Sequence, residues 1–172
     1  IIAMFTTTKE KLIQHLKGDL KLEKKDIVFL HSGVLGLGQV EGGINTITEA
    51  FKEVLSEGLL VIPSFTYSWC KGEGYDSLET ECPDMGAYAK DAWKDHEFIR
   101  SSNPNFAVAA LSNSHNQHLI ELMFSSPSER TCFGKGSVFD RIYQFSGNRN
   151  GFILLLGGAH SDVVFRCTFL HY

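Results

Sequence analysis

Residues 27–30 (IVFL) and 59–63 (LLVIP) are unbroken apolar runs, and the stretch between them carries the period of a helix. Ile47, Ala50, Phe51, Val54 and Leu55 recur at i, i+3, i+4, i+7 and i+8, which places them on one helical face. Apolar runs without alternation belong to strands buried on both sides, as parallel strands covered by helices are. A strand, a helix and a second strand in this order make a right-handed βαβ unit. The chain is therefore expected to be α/β, with three α/β/α layers around a central, largely parallel or mixed sheet.

The rest of the chain reads in the same terms. Thr7 and Glu10 stand at capping-box spacing ahead of a first helix whose apolar face is Leu12, Ile13 and Leu16, with Gly18 as its end. Asn45 or Thr46 is expected to cap the second helix, Thr46 pairing with Glu49, and Gly58 closes it. Residues 64–86 have no period. A loop of that length inside a domain is usually functional or disordered, and Tyr67, Trp69 and Tyr75 speak against disorder. A short helix over 86–96, a polar corner at 100–104, a strand over 106–111 and a helix over 115–124 follow. Ser137 is a good N-cap for a helix carrying Val138, Phe139, Ile142 and Phe145, and 151–158 is the last clear strand. Residues 1–172 are enough for one domain with a real core. Both ends fall in apolar surroundings, so a fragment of a longer chain is expected.

Several functional classes are disfavoured by charge and spacing. A net charge of −4 gives no basic face for nucleic acid. No apolar run approaches the roughly 20 residues that span a membrane, so a cytoplasmic protein is expected. Cys70, Cys82, Cys132 and Cys167 form no CxxC pair, and the acids and histidines show no ligand spacing, so no metal site is expected.

Two places could carry chemistry. From Asp26 to Gly43 the chain passes from a strand through His31, Ser32 and Gly33 into a glycine-rich loop ahead of a helix. Such a corner can cradle an anion or cofactor on backbone N–H groups, or can be an ordinary crossover. Gly36, Gly38 and Gly42 read GxGxxxG, which departs from the dinucleotide fingerprint, and no acid follows residues 59–63 to hold a ribose. Ser32 lies in no GxSxG elbow. Among the histidines, His171 is an isolated titratable group in the apolar-leaning segment VVFRCTFLHY, a setting in which a lone histidine is more often structural than catalytic. The acids of residues 64–86, Glu73 and Asp76 among them, are either a solvated rim or substrate contacts.

The ordered blocks D-IVFLHSG, GQVEGG, LLVIPSFTYS, RSSNPNFAVAAL, FGKGSVFDRI, ILLLGG and TFLHY resemble the aminoglycoside 3-N-acetyltransferase family, which is distinct from the GNAT acetyltransferases. The resemblance implies transfer of acetyl from acetyl-CoA to a primary amine of an aminoglycoside or another amino sugar. It implies that His31, Ser32, Gly33, Val34, Gly42 and Gly43 hold the pantetheine arm and thioester, with Arg100, Ser101 and Ser137 also on the CoA side. Amides of the 32–34 turn would face the oxyanion of the tetrahedral intermediate. His171 would be the general base, and Tyr67, Glu73 and Asp76 would meet the acceptor. The sequence departs from the family where Gly33, Asn103 and Val138 replace a serine, a histidine and a proline. The implied partners are CoA and a small amine, with no nucleic acid or membrane and with a homo-oligomer left open. A non-catalytic CoA- or nucleotide-binding module and a dinucleotide-dependent oxidoreductase stand as rivals.

Overall fold

The computed structural model describes residues 5–125, 132–146 and 151–157, and the backbone alone of 165–168. The three apolar runs form the parallel heart of a six-stranded mixed sheet: β2 (Ile27–Ser32) lies between β4 (Leu59–Pro63) and β7 (Gly151–Leu156). Beyond β4 come β6 (Val108–Leu111) and then β5 (Phe98–Arg100), and beyond β7 comes β8 (Phe165–Thr168), each antiparallel to its neighbour. Two short strands, β1 (Thr6–Thr7) and β3 (Gln39–Val40), pair apart from this sheet.

Alternation along the strands divides the core in two. Val28, Leu30, Leu60, Ile62, Phe152 and Leu154 point to one face, under α1 (Lys9–Gln14), α2 (Asn45–Val54) and α3 (Ala87–Ala92). Ile27, Phe29, Leu59, Val61, Val108 and Ala110 point to the other, under α4 (Gln117–Phe124) and α5 (Val138–Phe145). This is the three-layer α/β/α arrangement expected from the apolar runs. All five residues of the α2 stripe are buried, each of the larger ones contributing about 1.5–3 kcal/mol by burial. Thr48 of α2 and Tyr88 of α3 share a buried hydrogen bond of 2.8 Å, and burial raises the Tyr88 phenol well above its ordinary pKa.

Helix ends differ from the expected ones. The first cap is Thr8, whose hydroxyl accepts from the Lys11 amide, while the Thr7 hydroxyl is drawn away to donate to the Leu37 carbonyl at 2.6 Å. After α1 the chain widens into a π-turn over His15–Asp19 that runs through Gly18. The terminus falls at Lys21, which takes a left-handed φ of 56°, and the Leu22 amide closes back on the Leu16 carbonyl. Neither Asn45 nor Thr46 caps α2: Ile44 stands at the cap, and the Thr46 hydroxyl donates to the Glu41 carbonyl instead. Strand β5 was hidden in the sequence, where its arginine and three-residue length mask the pattern. By contrast, Ser137 caps α5 as expected, accepting from the Asp140 amide at 3.2 Å.

Candidate active site

The three parallel strands end together, and a cleft of about 400 Å³ opens at their carboxyl ends. That is where α/β sheets bind ligands, because the connections diverge there. One wall is the end of β2, with His31, Ser32 and Gly33; the Leu155–Leu156 end of β7 lies beside it in register. A second wall is Pro63, Phe65 and Tyr67, which follow from β4. The third wall is Asp84, Met85, Gly86 and Ala89, where the 72–86 loop enters α3.

Glycines make this junction dense. A Cβ on Gly33 or Gly36 would lie 2.7 or 2.2 Å from the Gly157 carbonyl oxygen, and one on Gly157 would lie 2.2 Å from the Gly33 oxygen. A Cβ on Gly86 would come within 2.6 Å of the Ser32 carbonyl, so only glycine lets this end of the loop reach β2. The Gly33 amide donates to the Leu156 carbonyl at 2.6 Å, so that N–H is engaged inside the fold and is not free for an oxyanion. Instead of an open cradle leading into a helix, the glycine-rich stretch is a 3-10 turn (Val34–Leu37) packed against the end of β7, followed by β3.

Two polar groups in the cleft have unusual surroundings. The His31 ring is half-buried and tilts against Phe29 with centroids 5.0 Å apart; burial lowers its pKa, which favours neutral imidazole at neutral pH. The Ser32 hydroxyl is buried with no hydrogen-bond partner. An unsatisfied buried hydroxyl costs about 1–3 kcal/mol, and a ligand that supplies the missing bond recovers it. Around these groups Pro63, Phe65, Met85, Ala89, Leu155 and Leu156 offer an apolar lining.

The other expected site residues are dispersed. Tyr67 lines the cleft, but Glu73 and Asp76 do not. The Asp76 carboxylate accepts from the Leu78 amide at 2.7 Å and organises its own turn; the acid in the cleft wall is Asp84. Val34 packs on the core, and Gly42 and Gly43, with φ of 79° and 74°, shape the turn before α2. Arg100 is buried at the end of β5, bonded to Ser64, Thr66 and Thr80, and the Ser101 hydroxyl accepts from the Val108 amide. Ser137 opens onto a separate groove with Phe133, Phe139 and Tyr143. His171 lies outside the described residues. The rule that ligands gather at strand ends would have pointed to Phe65, Leu155 and Leu156, whereas nothing in the sequence marks Asp84 to Gly86.

Among the described residues no group of three or more His, Cys, Asp or Glu is placed to hold a metal, and no helix is long and apolar enough to cross a membrane. The model of the aminoglycoside 3-N-acetyltransferase family matches residues 29–172. The solved structure of aminoglycoside acetyltransferase AAC(3)-IVa, as the apoenzyme, is similar with a TM-score of 0.71 and 25% identity, over 93% of this chain and 58% of that one. The YokD protein from Bacillus subtilis is similar in fold, with a TM-score of 0.70 and 24% identity over 86% and 64% of the two chains. So is AAC-IIIb in its binary complex with CoASH, with a TM-score of 0.69 and 18% identity over 90% and 60%. The chain thus spans less than two thirds of the length of these proteins. No curated protein matches it significantly in sequence.

Proposed function

Because this chain belongs to the aminoglycoside 3-N-acetyltransferase family, we propose that it moves acetyl from acetyl-CoA to a primary amine of an aminoglycoside or another amino sugar. The observation that carries this reading is the buried, unpartnered Ser32 hydroxyl in an apolar cleft at the strand ends. An acylated pantetheine arm offers what such a cleft lacks: a carbonyl or amide to bond the hydroxyl, and an apolar chain to lie along Phe65, Met85 and Leu156. His31, Ser32 and Gly33 therefore form the acetyl-CoA side. Tyr67 and the Asp84 carboxylate face the acceptor, where a negative charge favours an incoming ammonium group.

An ammonium group has no lone pair, so a base must take its proton before nitrogen attacks the thioester carbon. His171 is assigned that role. The base passes that first proton to solvent, and the free amine then adds to the thioester carbon, forming the C–N bond. As the tetrahedral intermediate collapses, the C–S bond breaks and the second nitrogen proton goes to sulfur, so CoA leaves as the thiol. Residues 1–172 act in this reading as one α/β domain. Val34, Gly42 and Gly43 shape the corner without touching the thioester, and Glu73 and Asp76 belong to the rim.

Calorimetric titration of the chain with CoA and acetyl-CoA tests the cleft, alongside Ser32→Trp, whose indole fills it. Binding by the wild type that is lost in a variant with an unchanged circular dichroism spectrum is the expected result. Acetyl transfer to a panel of amino sugars and aminoglycosides, read by thiol release, then identifies the acceptor. Equal binding by both proteins would remove the site from this cleft, and a folded wild type that binds neither ligand would overturn the reading.

A further inference from the structure

Arg100 is the most heavily bonded side chain around the 72–86 loop. Its Nε donates to Ser64 Oγ at 3.0 Å, one terminal nitrogen donates to the Thr80 carbonyl at 2.5 Å, and the other donates to the Ser64 carbonyl and Thr66 Oγ1 at 2.7 and 3.0 Å. Four of the five guanidinium N–H groups are thereby engaged inside the protein. Its plane lies against the Trp93 ring at 4.2 Å and the Tyr75 ring at 5.3 Å. Among the described residues no carboxylate comes within ion-pair distance of it, so carbonyls, hydroxyls and ring faces hold the charge. The next residue adds a second tie, since the Tyr75 hydroxyl donates to the Ser101 carbonyl at 2.6 Å.

Both ties run from the end of β5 to one loop. That loop enters the cleft as Asp84, Met85 and Gly86, with the buried Cys82 just before them. The same guanidinium also holds Ser64 and Thr66, which flank the cleft residue Phe65. It therefore joins two walls of the cleft to the sheet edge. We infer that Arg100 is a positioning residue that fixes the 72–86 loop, and with it the Asp84 side of the cleft where the amine acceptor docks, and that it does not bind CoA. A lysine cannot replace it, because an ammonium point charge has neither the planar fork nor the stacking face. The acceptor part of this inference rests on the acetyltransferase reading; the anchoring part does not.

The test uses Arg100→Lys and Tyr75→Phe in the full chain. Hydrogen exchange across residues 72–86 is expected to quicken in both variants, more in Arg100→Lys, with β2, β4 and β7 unchanged. kcat/KM for the amine is expected to fall by about 10–100-fold in Arg100→Lys through displacement of the loop. The calorimetric affinity for CoA is expected to fall by less than the amine kcat/KM, and only together with the quickened loop, because Phe65 and Met85 line the same cleft. If Arg100→Lys unfolds, Tyr75→Phe, which deletes one hydroxyl, still reads the loop. Weakened CoA binding with an unchanged loop would make Arg100 a CoA ligand and overturn the inference. Unchanged exchange in Tyr75→Phe together with unchanged amine kinetics would also overturn it. A wild type that transfers no acetyl would fail the acetyltransferase reading alone, and loop exchange would still decide the anchoring.

Discussion

Gly36→Ala should destabilise this fold far more than Gly43→Ala, although Gly43 has the stranger backbone. A Cβ on Gly36 would stand 2.2, 2.6 and 2.8 Å from the carbonyl oxygen, carbonyl carbon and Cα of Gly157. Ordinary contact begins near 3.4 Å, so roughly 1.2 Å must be found by moving backbone against backbone. The turn cannot yield cheaply, because the Gly33 amide is bonded to Leu156 and the Gly36 amide to the Gly33 carbonyl. Overpacking of this kind costs about 3 kcal/mol, which for a chain of this size lowers Tm by roughly 6–12 °C. Gly43 has φ of 74° and open space where its Cβ would go, so alanine there carries only the left-handed penalty of about 1 kcal/mol, or about 2–4 °C. Urea unfolding and calorimetry of the two variants measure the difference directly. Gly36→Ala also pushes the end of β7 away from Ser32, so CoA affinity should fall with stability, whereas Gly43→Ala should leave affinity alone. A Gly36→Ala protein as stable as Gly43→Ala would refute the close approach of the two turns on which the cleft depends.

Ser137→Ala removes the cap of α5 and should cost about 1 kcal/mol, Ser137→Gly only a few tenths, with CoA affinity unmoved in both; a CoA affinity that collapses in proportion would instead make Ser137 a ligand. His31, whose pKa burial depresses below 6.5, gives stability a pH dependence of known sign. Above 6.5 the imidazole is neutral in both states, and as pH falls below it the unfolded chain takes the proton first, so stability declines toward the folded pKa. His31→Gln should show a shallower decline than the wild type over that window, measured as the urea midpoint from pH 7.5 to 5; identical slopes would rule out the buried environment of the ring.

The departures from sequence expectation share a cause. Thr7 and Thr46 carry the right side chains for capping, but each hydroxyl finds a carbonyl of a distant or preceding segment, Leu37 and Glu41, in better geometry. The Arg-Ser pair at 100–101 is conspicuous in the sequence, yet its direction is set by Trp93, Tyr75 and Thr80, which reach it from the end of the preceding helix α3 and from the loop. Asp84 and Asp76 look alike in a string of acids. One lines the cleft and the other caps its own turn by accepting from the Leu78 amide, because Cys82 and Gly86 hold the last part of the loop against the core at the cleft.

The layering was legible because it follows from periods. Residues buried on two faces give unbroken runs, and residues buried on one face of a helix recur at 3.6. Those periods alone placed β2, β4, β7 and α2, and so the strand ends where a ligand must lie. Which groups meet there was decided by the tertiary structure. Side chains in aperiodic loops have no repeat to fix their direction, so the places of Asp84, Met85 and Gly86 depend on Arg100, on Tyr75, and on a glycine contact no wider than a carbonyl oxygen.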